Sequence, residues 1–208
     1  MVKNSLAVGL MVLKVAYLVI LASWLAACVK PPVPEELDVQ PSATVQVPPE
    51  IWILVDTKAD VLKVMQGNEP LEKFYNIALG SSGAGIKHQE GDGITPLGVF
   101  RIGWINPRSR FKLFMGLDYP NLDYAERAYQ EGRINHATYE QIRRALKAGH
   151  VPPQNTALGG QIGIHGIGAG DPLVHMNFNW TEGCVALNNE QIQRLAAWVD
   201  IGTRVEIR

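Results

Sequence analysis

The chain has 208 residues, a formal net charge of −1 and only two cysteines. That length allows one domain, or one domain with appendages. The near-neutral balance leaves no broad basic surface for nucleic acid and no polybasic patch for anionic lipid.

The first segment, MVKNSLAVGLMVLKVAYLVILASWLAAC, carries Lys3 and Lys14, a short apolar run from Val15 to Leu25, and then Ala26, Ala27 and Cys28. An apolar stretch of about 11 residues is too short to cross a bilayer core of ~30 Å as a helix, so a cleaved export signal is expected. The ending Leu-Ala-Ala-Cys resembles a bacterial lipoprotein signal. That resemblance implies lipidation of Cys28, export, and anchoring to a membrane through the lipid. Val29 stands where an inner-membrane retention signal has aspartate, so the outer membrane is the expected address in a two-membrane cell. An uncleaved anchor helix is the alternative. Residues 29–49, VKPPVPEELDVQPSATVQVPP, hold six prolines and few large apolar residues. Such a stretch cannot pack a core, and at ~3 Å per residue it makes a tether of roughly 60 Å.

From Ile51 the pattern changes. IWILVDT, VLKVM, FYNIALG, GVFRIGWI, QIGIHGI and RVEIR are short runs of Val, Ile and aromatics bounded by Gly, Pro, Asp and Asn. They predict a mainly β domain over residues 50–208. Two helical stretches, NLDYAERAYQEG and TYEQIRRALKAG, interrupt it and predict a helical hairpin inserted over residues 121–149. Thr138 and Gln141 have capping-box spacing, Gly132 and Gly149 sit where helices stop, and Ile142 and Leu146 share a face. The hairpin is either a surface embellishment or a wall beside the site. A last helix, NEQIQRLAAWV, is expected to be capped by Asn188 or Asn189, with Ile192, Leu195, Ala196 and Val199 inward.

If Cys28 carries lipid, Cys184 has no disulfide partner within the chain. An unpaired cysteine in an exported protein is either a reactive thiol or a small buried hydrophobe. His165 favours the first reading. It ends the QIGIH run and opens a glycine-rich loop, where a ring can reach a cleft and serve as base to a thiol. The amides of Gly183 and Cys184 are candidate oxyanion donors.

His165-Gly166, followed after a loop by Thr181-Glu182-Gly183-Cys184-Val185, resembles the active-site signature of the YkuD-type L,D-transpeptidases. Thr95, Pro96 and Gly98 in GDGITPLGVFRI are similar to that family's Thr-Pro-x-Gly segment, and IGTRVEIR is similar to its final strand. The resemblance implies a β-sandwich-like domain with short helices that acts on peptidoglycan stem peptides. Cys184 would be the nucleophile and His165 the proton carrier. Gly166 would orient the ring through its carbonyl, while Thr181 and Gly183 shape the pocket. No cofactor and no metal is implied. The acyl acceptor would be a stem-peptide amine, a lysine of an envelope lipoprotein, or water. Two positions depart from the commonest pattern: Glu182 replaces a histidine, and Ala186 replaces an arginine or asparagine. Glu182 near a thiol disfavours thiolate, so it is expected to face solvent.

Three rival readings compete. His165, His175 and Cys184 could ligate a metal, but their spacing fits no recurrent zinc pattern. A papain-like peptidase has its cysteine before its histidine, the reverse of this order. A non-catalytic peptidoglycan-binding lipoprotein is the third. Lys87, Arg101 and Arg108 are candidate partners for substrate carboxylates, each weighed against a solvated surface charge. Trp180 and Phe178 are candidate cleft walls. His88, His136 and His150 are assigned no role.

Overall fold

β-Branched and aromatic residues start the described part of the chain as strands. β1 (Ile51–Asp56) and β2 (Val61–Gln66) form a hairpin with Ile51 opposite Gln66 and Asp56 opposite Val61. β3 (Glu69–Tyr75) pairs antiparallel to β2. The computed structural model describes residues 50–208. The signal segment and tether expected over residues 1–49 lie outside the described residues.

The elements continue as β4 (Ala84–Gly85), β5 (Thr95–Pro96), β6 (Gly98–Asn106) and β7 (Phe114–Leu117), then helices α1 (Leu122–Gln130) and α2 (His136–Lys147). β8 (Gly163–His165), α3 (Pro172–Asn177), β9 (Val185–Ala186), α4 (Asn189–Leu195) and β10 (Arg204–Ile207) complete the order. Eight strands form one mixed sheet in the order β3-β2-β1-β10-β6-β7-β8-β9. The long β6 serves two ladders: Gly98 to Arg101 pair with β10, and Ile102 to Asn106 pair with β7. It therefore joins two half-sheets. One core, including Ile53, Leu62, Phe100, Met115, Ile164, Val185 and Leu195, draws on both halves and on α4. The domain is mainly β with four short helices, the expected class.

Several expectations are corrected. FYNIALG is not one strand, because Asn76 at φ 57° turns the chain out of β3. Ala78 and Gly80 then form isolated bridges with Ala186 and Thr181, beside the second cysteine. The short strands β4, β5, β7 and β9 and the helix α3 carry too few residues for a period to register. α3 nevertheless has a readable start, with Asp171 capping the Leu173 amide and Pro172 in the first turn.

The helical hairpin forms where the sequence places it, and Gly132 and Gly149 follow its two helices. Thr138 is not the cap of α2. Asn135 takes that place and accepts from the Thr138 amide at 2.9 Å, so the helix starts earlier than the Thr-x-x-Gln spacing implied. The hairpin packs a small core of its own from Ala125, Ala128, Ile134, Ile142 and Leu158, with Leu146 against it. In α4, Asn188 and Gln191 form a reciprocal capping box. Ile192, Leu195 and Val199 are buried, but the helix stops at Leu195 and Ala196 is exposed.

Candidate active site

The parallel pair β8·β9 brings the two sequence-selected residues together. Ile164 lies opposite Val185 and His165 opposite Ala186. Alternation along the strands puts the side chains of residues 165 and 184 on the face opposite to Ile164 and Val185, which are fully buried. Both His165 and Cys184 line a cleft of about 720 Å³ with Trp104, Arg108, Arg110, Phe111 and Trp180.

His165 is 2% exposed. Its ring stacks on Phe111 at 4.2 Å between centroids and on Phe114 at 6.0 Å, with Trp180 edge-on at 5.8 Å. Nδ1 lies 2.7 Å from the Gly166 carbonyl, which can only accept, so Nδ1 carries the proton and Nε2 is left as the base. A side chain at Gly166 would clash with the Phe111 carbonyl, Asn189 and Ile192, which explains the glycine there. Burial pushes the imidazole down to about 4, against the pull of the Gly166 carbonyl; His175 and Arg110 push it further the same way. The base is neutral at pH 7.

Cys184 is half-buried, and its thiol donates to the Gln161 carbonyl at 3.4 Å. Burial pushes the thiol up to about 11, opposed by the Gly163 backbone and by the charge of Lys87. Cys184 therefore rests as the thiol and His165 as the neutral imidazole.

The backbone of Cys184 is clamped by hydroxyls. Thr181 donates its hydroxyl to the Cys184 carbonyl at 2.7 Å and accepts from the Gly183 amide at 3.1 Å. Thr95 donates to the same carbonyl at 3.4 Å and accepts from the Gly80 amide at 2.8 Å. Gly183 has φ 130°, a region closed to other residues, and its missing side chain admits the Ile94 carbonyl. The Gly183 amide is thus committed to Thr181. The Cys184 amide has no hydrogen-bond partner among the described residues and is the donor left for an oxyanion.

The remaining candidates divide. Glu182 is exposed, as expected. Ala186 is fully buried and bridges to Ala78. Arg108 lines the cleft, whereas Arg101 lies off it and bonds the Gly202 carbonyl. Lys87 is not a surface charge: it is 2% exposed and paired with Asp92 at 2.5 Å. Trp180 walls the cleft, but Phe178, at 66% exposed, does not line it. His175 is buried with Trp180 bonded to its Nδ1 at 3.4 Å. Among the described residues no cluster of His, Cys, Asp and Glu could hold a metal, so His165, His175 and Cys184 do not form a ligand set. None of residues 121–149 lines the cleft, so the hairpin is not its wall.

Sequence reading missed Trp104, Arg110, Phe111, Phe114 and Gln161. The β6–β7 connection NPRSRFK signalled a turn with cations and an aromatic. Only the antiparallel register that sets Phe114 opposite His165 brings that connection to the base.

The cleft thus holds a half-buried thiol and a buried neutral imidazole with its tautomer fixed. Residues 50–207 match the model of the YkuD L,D-transpeptidase catalytic domain, and the chain belongs to that family. Among solved structures it is similar to Bd1075 of Bdellovibrio bacteriovorus, with 20% identity over 77% of this chain and 48% of that one, at a TM-score of 0.50. It is also similar to the helical cell shape determining protein Pgp2 of Campylobacter jejuni, with 24% identity over 76% of this chain and 47% of that one, at a TM-score of 0.51. The chain spans about half the length of these structures. At such identities the likeness is one of fold. No curated protein sequence matches the chain.

Proposed function

We propose that this domain transfers acyl groups from peptidoglycan stem tetrapeptides, with Cys184 as nucleophile and His165 as proton carrier. The observation that carries the reading is the Nδ1–Gly166 bond, which leaves Nε2 free on a neutral His165 that lines the same cleft as the thiol. His165 Nε2 takes the thiol proton as sulfur attacks the carbonyl of the L,D amide. The Cys184 amide binds the oxyanion. The C–N bond breaks, His165 returns the proton to the leaving D-alanine, and a thioester remains. An amine then attacks the thioester, His165 takes its proton, and the thiol is restored. Arg108 and Arg110 on the cleft have no acidic partner among the described residues and suit the carboxylates of a stem peptide.

Hydrolysis is the second reading. It is favoured by one observation: the hairpin, the largest insertion, contributes nothing to the cleft and so builds no acceptor wall. An amine has to be positioned to outcompete water, an advantage worth at most ~7–11 kcal/mol. For the N-terminal segment we propose export and lipidation at Cys28, with the tether holding the domain at the periplasmic face, the outer membrane in a two-membrane cell. An envelope lipoprotein lysine is one amine within that reach. We also extend to this chain a part in cell shape, the role that Pgp2's name carries.

Incubation with purified disaccharide-tetrapeptide, followed by mass spectrometry, tests the reading. Loss of D-alanine with a cross-linked product supports transfer, and tripeptide alone makes the enzyme a hydrolase. An unchanged tetrapeptide, with no carbapenem adduct on Cys184, leaves only a binding domain.

A further inference from the structure

A lysine that is 2% exposed lies directly under the nucleophile's turn. Lys87 Nζ is 2.5 Å from Asp92 Oδ1 on one side and 3.4 Å from the Glu182 carbonyl on the other. Glu182 is two residues before Cys184. Burying an ammonium group is costly unless it is paired, and an ion pair in such a place seldom stabilises a fold more than apolar side chains of the same volume would. Its presence here therefore calls for a use beyond stability.

The surroundings show the pair being held in place. Asp92 also accepts from the amides of His88 at 2.8 Å, Gln89 at 3.2 Å and Ile94 at 3.0 Å. Burial raises the Asp92 carboxyl, but the Lys87 bond and these three amides outweigh it and hold the group below the usual carboxylate range. The helical hairpin braces the same loop from outside. Arg133 donates to the His88 carbonyl at 2.5 Å, and the Tyr124 hydroxyl donates to the Leu97 carbonyl at 2.9 Å. Beyond the hairpin, the Glu90 amide donates to the Ala157 carbonyl at 3.1 Å. Three residues on from Asp92, the loop runs into Thr95, whose hydroxyl reaches the Cys184 carbonyl.

We propose that Lys87 is a positioning residue for Cys184, holding the Glu182–Cys184 turn by the Glu182 carbonyl and keeping one fixed cation beside the thiol as negative charge develops on sulfur. Asp92 is the counter-charge that makes the buried ammonium tolerable. The hairpin's contribution to the site is then indirect: it holds the loop that holds the cation. The other charged or titratable groups lining the cleft with the thiol are His165 on β8, the exposed Glu182 on its own turn, and Arg108 and Arg110. The charge of Lys87 pulls the thiol toward thiolate against its burial.

This inference rests on Cys184 being the nucleophile, but its test needs no peptidoglycan. The rate of Cys184 alkylation by iodoacetamide is followed against pH in the full chain carrying Cys28→Ser, so that one thiol reports. Lys87→Met with Asp92→Asn removes both charges together and leaves no buried carboxylate unpaired. We expect its alkylation midpoint to rise by about one pH unit and carbapenem acylation at pH 7 to slow about tenfold. Asp92→Asn alone removes the counter-charge that makes the buried ammonium tolerable, so the fixed cation is lost there too and its midpoint should also rise. A merely structural pair would lower the melting temperature in both variants and leave both midpoints at the wild-type value, and that result overturns the proposal. Should the double variant fail to fold, the Asp92→Asn midpoint decides alone, since an unmoved value there is equally fatal. A wild-type enzyme that releases no D-alanine would sink the acyl-transfer reading and leave the alkylation profile standing.

Discussion

The turn at Gly183 and Cys184 and the helical hairpin are both small pieces of this domain, yet they are held by opposite means. The hairpin is local and largely apolar. Asn121 and Asn135 cap its helices, and Ala125, Ala128, Ile134 and Ile142 pack with Leu158 within a span of about 40 residues. The turn at Gly183 and Cys184 is tied mainly by polar bonds, and its partners come from afar: Thr95 lies 89 residues away from Cys184 and Lys87 lies 95 from Glu182. Apolar packing tolerates small shifts, because dispersion and burial are not directional. A hydroxyl shared between an amide and a carbonyl fixes position and orientation together. The contrast teaches that precision at the thiol is supplied by polar contacts, and bulk support by the hairpin's core.

The sharpest break in that comparison comes from the site itself. Cys184→Ala should abolish D-alanine release and carbapenem acylation while the melting temperature stays near wild type, because a small side chain is lost. His165→Ala should lower kcat/KM by at least 10³-fold, and the two losses should not add. Product formed by Cys184→Ala at the wild-type rate would refute the cysteine mechanism.

The pH profile comes next in size. His165 must be neutral to take the thiol proton, and burial sets its change near pH 4. Carbapenem acylation should hold its neutral value down to about pH 5 and then fall about tenfold per unit below 4, limited by protonation of the ring. Because the unfolded histidine binds its proton near 6.5 and the folded one near 4, the unfolded state holds more protons in that window. His165 therefore lends stability above about 6.5 that is lost as pH falls toward 4. An acid limb centred on 6.5 in the acylation profile would show that the ring is not buried as described.

Thr181→Val tests the clamp with little change of shape. It removes the donor to the Cys184 carbonyl and leaves the Gly183 amide without its acceptor. Stability should drop by about 1–3 kcal/mol in urea titrations, and acylation of the folded variant should slow by one to two orders of magnitude. In the hairpin the pattern should invert. Ile142→Ala, at a fully buried site, should cost about 2–5 kcal/mol, yet acylation of the protein that remains folded should change less than threefold. Smallest of all, Asn135→Ala should cost about 1 kcal/mol through the lost cap and leave catalysis untouched. If Ile142→Ala slowed acylation as much as Thr181→Val, the division of labour drawn here would fail.

The sequence by itself determined what is local or repeats along the chain. The runs around β1, β2, β6 and β10 were legible from their β-branched residues, and the hairpin was legible from its helical spacing and closing glycines. His165 and Cys184 stood out as the histidine and cysteine flanked by glycine in the right order. Even within the hairpin, the choice between Thr138 and Asn135 as cap turned on where the backbone entered the helix. Tertiary structure decided the rest. Whether Lys87 faced water or lay buried on Asp92 could not be read from its neighbours, since burial is set by what folds over it. Phe114 meets His165 only because β7 and β8 pair in one register, and a slip of one residue would turn that ring to the other face. Thr95 reaches the carbonyl that the nearby Thr181 also bonds only because the fold brings β5 to it across 89 residues. Strand pairing links residues without regard to their separation in the chain, and no local pattern of residues records the register in which they meet.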